Sequence, residues 1–205
     1  MTQIHDHPGA RIDLQPPDEG RAQVEEILSH FGAALGSPPT ALRLLGVSPP
    51  ILGHYAGMVG YYMEHPRLRP PLTTLIRYLA ASHSECDYCV DLNEAMLLDM
   101  GYSLDVVRAA RADVAAAPLG GDERALLEAA LQASRDPQWL TSERIAALRA
   151  HGWSDRDVFD AVWLAAMNHA FGQVVDAFGV TPDGYTQART DRADIDEGGA
   201  RHAGA

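Results

Sequence analysis

Two cysteines, Cys86 and Cys89, are the residues of this sequence best suited to chemistry. They are the only cysteines in the chain, and Asp87 and Tyr88 lie between them. On a helix, residues three positions apart lie on nearly the same face, so the two sulfurs can form a disulfide without unfolding the helix. A substrate can oxidise one sulfur and the other can then resolve the product. Thiol redox chemistry is therefore the leading interpretation of this pair.

The residues next to the pair act on the thiols in opposite directions. Ser84, followed three residues later by Asp87, resembles a capping box and predicts that Cys86 lies in the first turn of a helix. The unpaired N–H groups and the positive dipole end of a first turn lower the pKa of a thiol. The carboxylates of Glu85 and Asp87 raise that pKa. Helix electrostatics alone favour Cys86 as the more acidic thiol.

Two other interpretations of the pair stay open. Both cysteines can be inert core residues that happen to be three positions apart. They can also bind zinc, which requires two further ligands. The sequence has no second CxxC motif and no paired histidines at helical spacing, so only scattered histidines could complete such a site.

The segments that must position the cysteines favour helix. Glycines and prolines fall mainly in short connectors, and apolar residues between them recur at helical spacing. We predict eight or nine helices with short connections, which makes an all-α bundle. One long helix, 154–178, is apolar nearly all round its middle and is expected to be buried, within the protein or against another subunit. Glu94 is expected on a solvated face.

The predicted organisation is one helical domain with two loose ends. Residues 1–18 contain two histidines, three prolines and one glycine and are predicted to be a flexible arm. Residues 19–182 are predicted to form the helical domain. Residues 183–205 are polar and rich in glycine and alanine, and we predict a disordered tail there. A chain of 205 residues that is 46% hydrophobic can bury one such core.

Charge and hydropathy argue against two classes of partner. The formal net charge is −12, so the basic footprint that nucleic acid requires is missing. The chain starts without the pattern of a signal peptide, and no uninterrupted apolar run approaches about 18 residues. We therefore expect a cytoplasmic protein with neither nucleic acid nor a membrane as partner.

The surroundings of the dithiol resemble a known family. The resemblance is to the AhpD-like, carboxymuconolactone decarboxylase superfamily, and to its peroxidase-related branch in particular. It covers roughly residues 38–180 and is carried by Ala80–Val90 (AASHSECDYCV), Met100–Ser103 (MGYS), Leu140–Glu143 (LTSE) and Leu148–Asp155 (LRAHGWSD). The resemblance implies an AhpD-like helical bundle, a homo-oligomer, and a CxxC centre that reduces hydroperoxides. It also implies re-reduction by a thiol partner, a small dithiol or a redox protein, and no bound cofactor or metal.

The resemblance assigns roles to the cysteines but not a complete proton relay. It implies that Cys89 attacks the peroxide and Cys86 resolves, whereas helix electrostatics favour Cys86. Active members of the family have a histidine four residues after the second cysteine and a glutamate twelve before the first; here these are Asn93 and Thr74. The residue before the second cysteine, histidine in some members, is Tyr88. Asparagine and threonine cannot act as bases near neutral pH, so the usual relay is missing.

Two histidines are candidate substitutes for the missing base. His83 lies just before the predicted helix and could approach Cys86, and His169 lies inside the long helix. We predict a thiol-dependent hydroperoxide reductase, weak or specialised. Its predicted catalytic residues are Cys86, Cys89, Asn93, His83 and Tyr88. The alternatives are a lactone decarboxylase, which needs no dithiol, and a non-catalytic protein of the same fold kept for assembly or ligand binding.

Overall fold

The computed structural model describes residues 10–202, and the side-chain surroundings of residues 10–193. These residues contain helices and no strand, which confirms the all-α prediction. The ten α-helices are α1 (Arg21–Leu35), α2 (Thr40–Gly46), α3 (Pro49–Met63), α4 (Pro70–His83), α5 (Asp87–Asp99), α6 (Leu104–Ala112), α7 (Gly121–Arg135), α8 (Ser142–Ala150), α9 (Asp155–Ala177) and α10 (Tyr185–His202). Short 3-10 turns at Val114–Ala116 and Pro137–Trp139 flank α7.

Helix α4 is the centre of the bundle. It packs against α5, α7 and α9, and α7 packs against α9. Nearly every side chain of α4 from Leu72 to Ala81 is buried. A smaller apolar cluster, formed by Val24, Leu42 and Leu52, joins α1, α2 and α3. Arg77, on this helix, is therefore surrounded by buried neighbours.

Helix α9 begins with a capping box. The Ser154 hydroxyl accepts the backbone N–H of Asp157 at 3.2 Å, and the Asp157 carboxylate accepts the backbone N–H of Ser154 at 2.8 Å. One side of α9 is buried in the bundle, as predicted, but Phe159 and Trp163 on another side are 63% and 46% exposed. No helix in the described part of the chain is long and apolar enough to cross a membrane.

Within the segment predicted to be a disordered tail, the structure has helix α10 over Tyr185–His202. The backbone N–H groups of Tyr185 and Thr186 donate to the Asp91 carboxylate, each at 2.9 Å. The Arg189 guanidinium binds Asp99 at 2.7 Å. These polar contacts hold the start of α10 against α5, and a polar composition gives no sign of them. Residues 203–205 lie outside the described part.

The predicted flexible arm is packed where the structure describes it. The backbone N–H of Arg11 donates to the Phe178 carbonyl at 2.7 Å, and its guanidinium donates to the Ala177 carbonyl at 3.0 Å. Leu14 is buried in the main core. Arg11 thus caps the C-terminal end of α9. Residues 1–9 lie outside the described part.

Candidate active site

The dithiol lies at the corner between α4 and α5. Helix α4 continues to His83, so Ser84 ends that helix instead of beginning the next one, and the predicted cap is wrong. Cys86 itself is the N-terminal cap of α5: its sulfur accepts the backbone N–H of Cys89 at 3.3 Å. That position is usually taken by a serine or aspartate oxygen. A thiolate on Cys86 therefore receives a hydrogen bond from the helix start.

Glu85 makes this corner sharp. Its φ of 57° lies in the left-handed region, which among the described non-glycine residues is found only here. That turn lets the backbone N–H of Cys86 donate to the Ala81 carbonyl at 3.1 Å. The same hydrogen bond, from a backbone N–H to the carbonyl five residues earlier, ends α5, α8 and α9. The left-handed residue is there Gly101, Gly152 or Gly179. At the dithiol, Glu85 adopts the left-handed conformation that glycine adopts at the other three helix ends. Its Cβ makes that conformation strained.

The two thiols are buried and electrostatically different. Both are free, with 0% and 2% of their surface exposed for Cys86 and Cys89. The hydrogen bond that the side chains share, helped by the Cys89 N–H and opposed by burial, lowers the pKa of Cys86. The same shared bond, together with burial, raises the pKa of Cys89. The structure thus agrees with helix electrostatics that Cys86 is the more acidic thiol.

Charged neighbours modify both thiols. The carboxylate of Asp176, on α9, raises the pKa of each cysteine, and Asp87 raises that of Cys86. The Arg77 guanidinium, on α4, acts in the other direction on Cys89. Sequence reasoning found Asp87 but missed Asp176 and Arg77, because only the packing of α4 and α9 brings them to the dithiol.

Gly172 of α9 allows the dithiol corner to pack closely. A Cβ atom at this position would lie 3.0 Å from the Cβ of Cys86 and 3.4 Å from its sulfur. The first distance is shorter than side chains normally allow, so an alanine there would press on the cap of α5. Sequence reasoning missed Gly172, whose only signal is a glycine inside a long helix, where it costs stability.

Asn93 lies one turn beyond Cys89, as predicted, and is only 3% exposed. Its Nδ2 donates to the Cys89 carbonyl at 2.7 Å. Its Oδ1 is buried and accepts no hydrogen bond from any described residue. This oxygen can accept a hydrogen bond from a thiol, a water or a hydroperoxide, but it cannot take the proton.

The structure does not bring Tyr88 or His83 to the sulfurs. The Tyr88 hydroxyl donates to Asp183 at 2.8 Å and accepts the backbone N–H of Ala41 at 3.2 Å, and burial raises its pKa. His83 is exposed and makes no hydrogen bond with described residues; partial burial and Arg135 lower its pKa. Tyr88 thus ties α5 to the start of α2 and to the segment before α10.

His169 and Glu94 are two further residues that the sequence singled out. The ring of His169 contacts the Gln173 amide at 3.2 Å, and no hydrogen bond joins it to either thiol. Glu94 is buried, accepting hydrogen bonds from Tyr78 at 2.8 Å and Arg108 at 3.1 Å, so its prediction on a solvated face is wrong. Its partners lie far away in sequence, and their contact depends on how α4, α5 and α6 pack.

A cavity of about 270 Å³ lies next to the stretch of α9 that packs against the dithiol corner, and neither cysteine lines it. Its lining is mostly apolar and comes from α1 to α5 and α9. Asn168 and Phe171, on the turn of α9 that precedes Gly172, line it, so the cavity and the dithiol share one stretch of α9. Its polar lining residues include Thr74 and Arg77. Among the described residues, no group of three or more His, Cys, Asp or Glu side chains could hold a metal ion.

Known proteins resemble this chain in structure. No protein-family model and no curated protein matches the sequence. An uncharacterized peroxidase-related protein from Silicibacter sp. TM1040 matches with a TM-score of 0.77 at 20% identity, over 91% of this chain and 97% of that one. An alkylhydroperoxidase AhpD core, an uncharacterized peroxidase-related protein from Ralstonia eutropha JMP134, matches with a TM-score of 0.75 at 20% identity, over 88% and 96% of the two chains.

A third solved structure with this fold has a different activity. It is the debrominase Bmp8 in complex with 2,3,4-tribromopyrrole, with a TM-score of 0.68 at 17% identity, over 87% of this chain and 96% of that one. The chain therefore has the AhpD-like helical fold of the peroxidase-related proteins, which confirms the fold implied by the CxxC signature. The likeness at these identities concerns the fold.

Proposed function

We propose that this chain is a thiol oxidoreductase that reduces organic hydroperoxides with Cys86 and Cys89. The observation that carries the proposal is the paired dithiol: two free thiols at one helix start, with the Cys89 N–H 3.3 Å from the Cys86 sulfur. This arrangement stabilises one thiolate and holds the second thiol within one turn. The fold shared with peroxidase-related proteins supports the proposal.

The reaction uses both thiols and no cofactor. A thiolate attacks the terminal oxygen of the hydroperoxide; the O–O bond breaks, and the departing alkoxide takes a proton to become an alcohol. The oxidised sulfur is then a sulfenic acid. The second cysteine attacks that sulfur as a thiolate, the S–O bond breaks, and water leaves after protonation. One hydroperoxide and two thiols thus yield one alcohol, one water and one disulfide.

An external dithiol returns the enzyme to its reduced form by thiol–disulfide exchange. We propose a small dithiol instead of a redox protein as this partner. A protein reductant must bring its own cysteine into contact with one of the sulfurs, and both are almost fully buried. A small molecule can reach them with much less movement of the corner.

Reductive dehalogenation is a second candidate function. It is favoured by the fold shared with the debrominase Bmp8, and by a stacked aromatic pair in the cavity wall, Tyr55 and Phe171, with ring centroids 5.0 Å apart. An aryl bromide and two thiols would give the arene, hydrogen bromide and a disulfide. Two alternatives fit the dithiol less well. A lactone decarboxylase would not need it, and a non-catalytic protein would convert no substrate.

Steady-state consumption of cumene hydroperoxide with dithiothreitol as reductant tests the proposal. We expect turnover by the unmodified protein and its loss in Cys86→Ser and in Cys89→Ser, with unchanged helical content by circular dichroism. Turnover that survives both substitutions, or no turnover by the fully reduced protein, would contradict the proposal. Bromide release from a brominated phenol, without hydroperoxide turnover, would favour the second candidate.

A further inference from the structure

Arg77 is a positive charge inside the bundle without a carboxylate partner. Its Nη2 donates to the Thr74 hydroxyl at 3.2 Å and contacts the Met96 sulfur at 3.8 Å. A guanidinium has five N–H donors, so the three on Nε and Nη1 have no partner among the described residues. No described carboxylate oxygen lies within 4.0 Å of it. Arg77 is partly buried, so a carboxylate that reached it would pair with a guanidinium that has no other counter-charge.

Arg77, which carries these free donors, is one of the residues that line the cavity. None of the described residues that line the cavity is an aspartate or glutamate. Tyr55 also lines the cavity, and its hydroxyl makes no hydrogen bond with any described residue. Burial lowers the pKa of Arg77 and raises that of Tyr55, yet an arginine stays charged near neutral pH. The cavity thus combines one cation and one free hydroxyl with an otherwise mostly apolar lining.

We propose that this cavity binds an apolar organic acid, whose carboxylate pairs with Arg77 and whose hydrocarbon or aromatic part fills the apolar space. A guanidinium binds a carboxylate through two parallel hydrogen bonds, and the low dielectric of the site strengthens them. About 270 Å³ suits a molecule slightly smaller than a typical drug-sized ligand. This names the substrate class of the dithiol as hydroperoxides that carry a carboxylate, and in that respect it rests on the proposed function.

The net charge of the chain opposes an anionic ligand only weakly. The formal charge of −12 is spread over 205 residues, and salt screens it beyond a Debye length of about 8 Å. Arg77 acts on a carboxylate at contact distance and away from water, where one charge outweighs many distant ones. The competing account of Arg77 is that it serves only as a counter-charge for Cys89. That account predicts no binding of carboxylates once the cysteines are replaced.

Titration calorimetry on the double variant Cys86→Ser/Cys89→Ser separates ligand binding from thiol chemistry. We expect octanoate to bind and 1-octanol, with the same chain but no charge, to bind about 10–100-fold more weakly, the range expected for a charge-assisted hydrogen-bond pair. Arg77→Met should abolish the preference for octanoate. Arg149→Met, which removes an exposed arginine of α8, should leave it unchanged.

Equal binding of octanoate and 1-octanol overturns the inference, as does no binding of octanoate or a preference that survives Arg77→Met. The comparison of the two ligands needs no substitution of Arg77, so misfolding of that variant does not decide the outcome. In the unmodified protein, a hydroperoxide of octanoic acid should be reduced with a lower KM than octyl hydroperoxide. If octanoate binds but neither hydroperoxide is reduced, the proposed function fails while the binding site stands.

Discussion

Cys86 and Cys89 are chemically alike in sequence but differ in what their sulfurs contact. The Cys86 sulfur caps a helix and accepts an N–H from its first turn, whereas Cys89 lies inside that turn. Negative charge is therefore more stable on Cys86. The family resemblance assigns the attack to Cys89, so structure and resemblance lead to opposite assignments of the nucleophile.

Thiolate titration distinguishes the two assignments. Of the two single variants, Cys89→Ser should form its thiolate at the lower pH, because the Cys86 sulfur still accepts the backbone N–H of position 89 at the helix start. In Cys86→Ser, the remaining Cys89 should require a higher pH than that, because burial raises its pKa. Ultraviolet thiolate absorbance measures both, and each unfolded variant gives the reference value. The reverse order in the folded variants would contradict this assignment.

Asn93 cannot remove a proton, and we propose that this limits the rate of hydroperoxide reduction. Asn93→His should raise hydroperoxide turnover, since an imidazole one turn from Cys89 lies about 5–6 Å away between Cβ atoms. General-base catalysis contributes about 10²–10⁴-fold, and the gain should fall below that range because Thr74 offers no carboxylate to orient the ring. Steady-state kinetics measure it. Asn93→Gln enlarges the side chain without adding a base and should give no gain; equal rates for both variants would contradict the prediction.

At the scale of elements, the corner between α4 and α5 determines where the sulfurs lie. Four helices end in the same backbone hydrogen bond, and three of them use a glycine for the left-handed residue. At the fourth, Glu85 holds a φ of 57°. The corner is therefore strained at the position next to the reactive thiol, a common feature of functional sites.

Replacing Glu85 tests this strain. Glu85→Gly should raise the free energy of unfolding by about 1 kcal/mol, because glycine adopts this conformation without a Cβ clash. Glu85→Ala removes the same charge but keeps the Cβ, so it should give no such gain. Urea unfolding followed by circular dichroism measures both. If both substitutions raise the free energy of unfolding equally, the effect comes from the lost charge and not from backbone strain.

The sequence predicts helix boundaries best where a local signal marks them. The capping box at Ser154 and the glycines after α5, α8 and α9 are local signals of this kind. The start of α5 differs from the predicted one because Ser84 and Asp87 match a capping-box spacing, while Glu85 turns the chain without a glycine. The pair and Asn93 were found by spacing along one helix. Arg77, Asp176 and Gly172 were not, because α4 and α9 meet the dithiol only through tertiary packing.

The whole molecule exposes an aromatic surface on α9. Phe159 and Trp163 are stacked with centroids 6.0 Å apart, are largely exposed, and border a groove with Tyr61. Monomeric proteins seldom expose large contiguous apolar surface, and the family resemblance implies a homo-oligomer. We propose that a second copy of this chain covers this surface.

Sedimentation tests this assembly. The unmodified protein should sediment as a species larger than its 22.1 kDa chain at micromolar concentration. The double variant Phe159→Ser/Trp163→Ser should shift toward the monomer, because it removes apolar area that association would bury. Val174→Ser, at an exposed position of the same helix, is the matched control and should leave assembly unchanged. An unmodified protein that is a monomer would contradict the proposal.

We propose that Cys86 and Cys89 act together as one redox pair. The direct measurement is mass spectrometry of the reduced, folded protein after addition of one equivalent of cumene hydroperoxide. We expect the loss of both free thiols and of two hydrogens within one peptide that contains both cysteines, reversed by dithiothreitol. Two sulfurs that stay free while the protein remains folded and the hydroperoxide persists would contradict it.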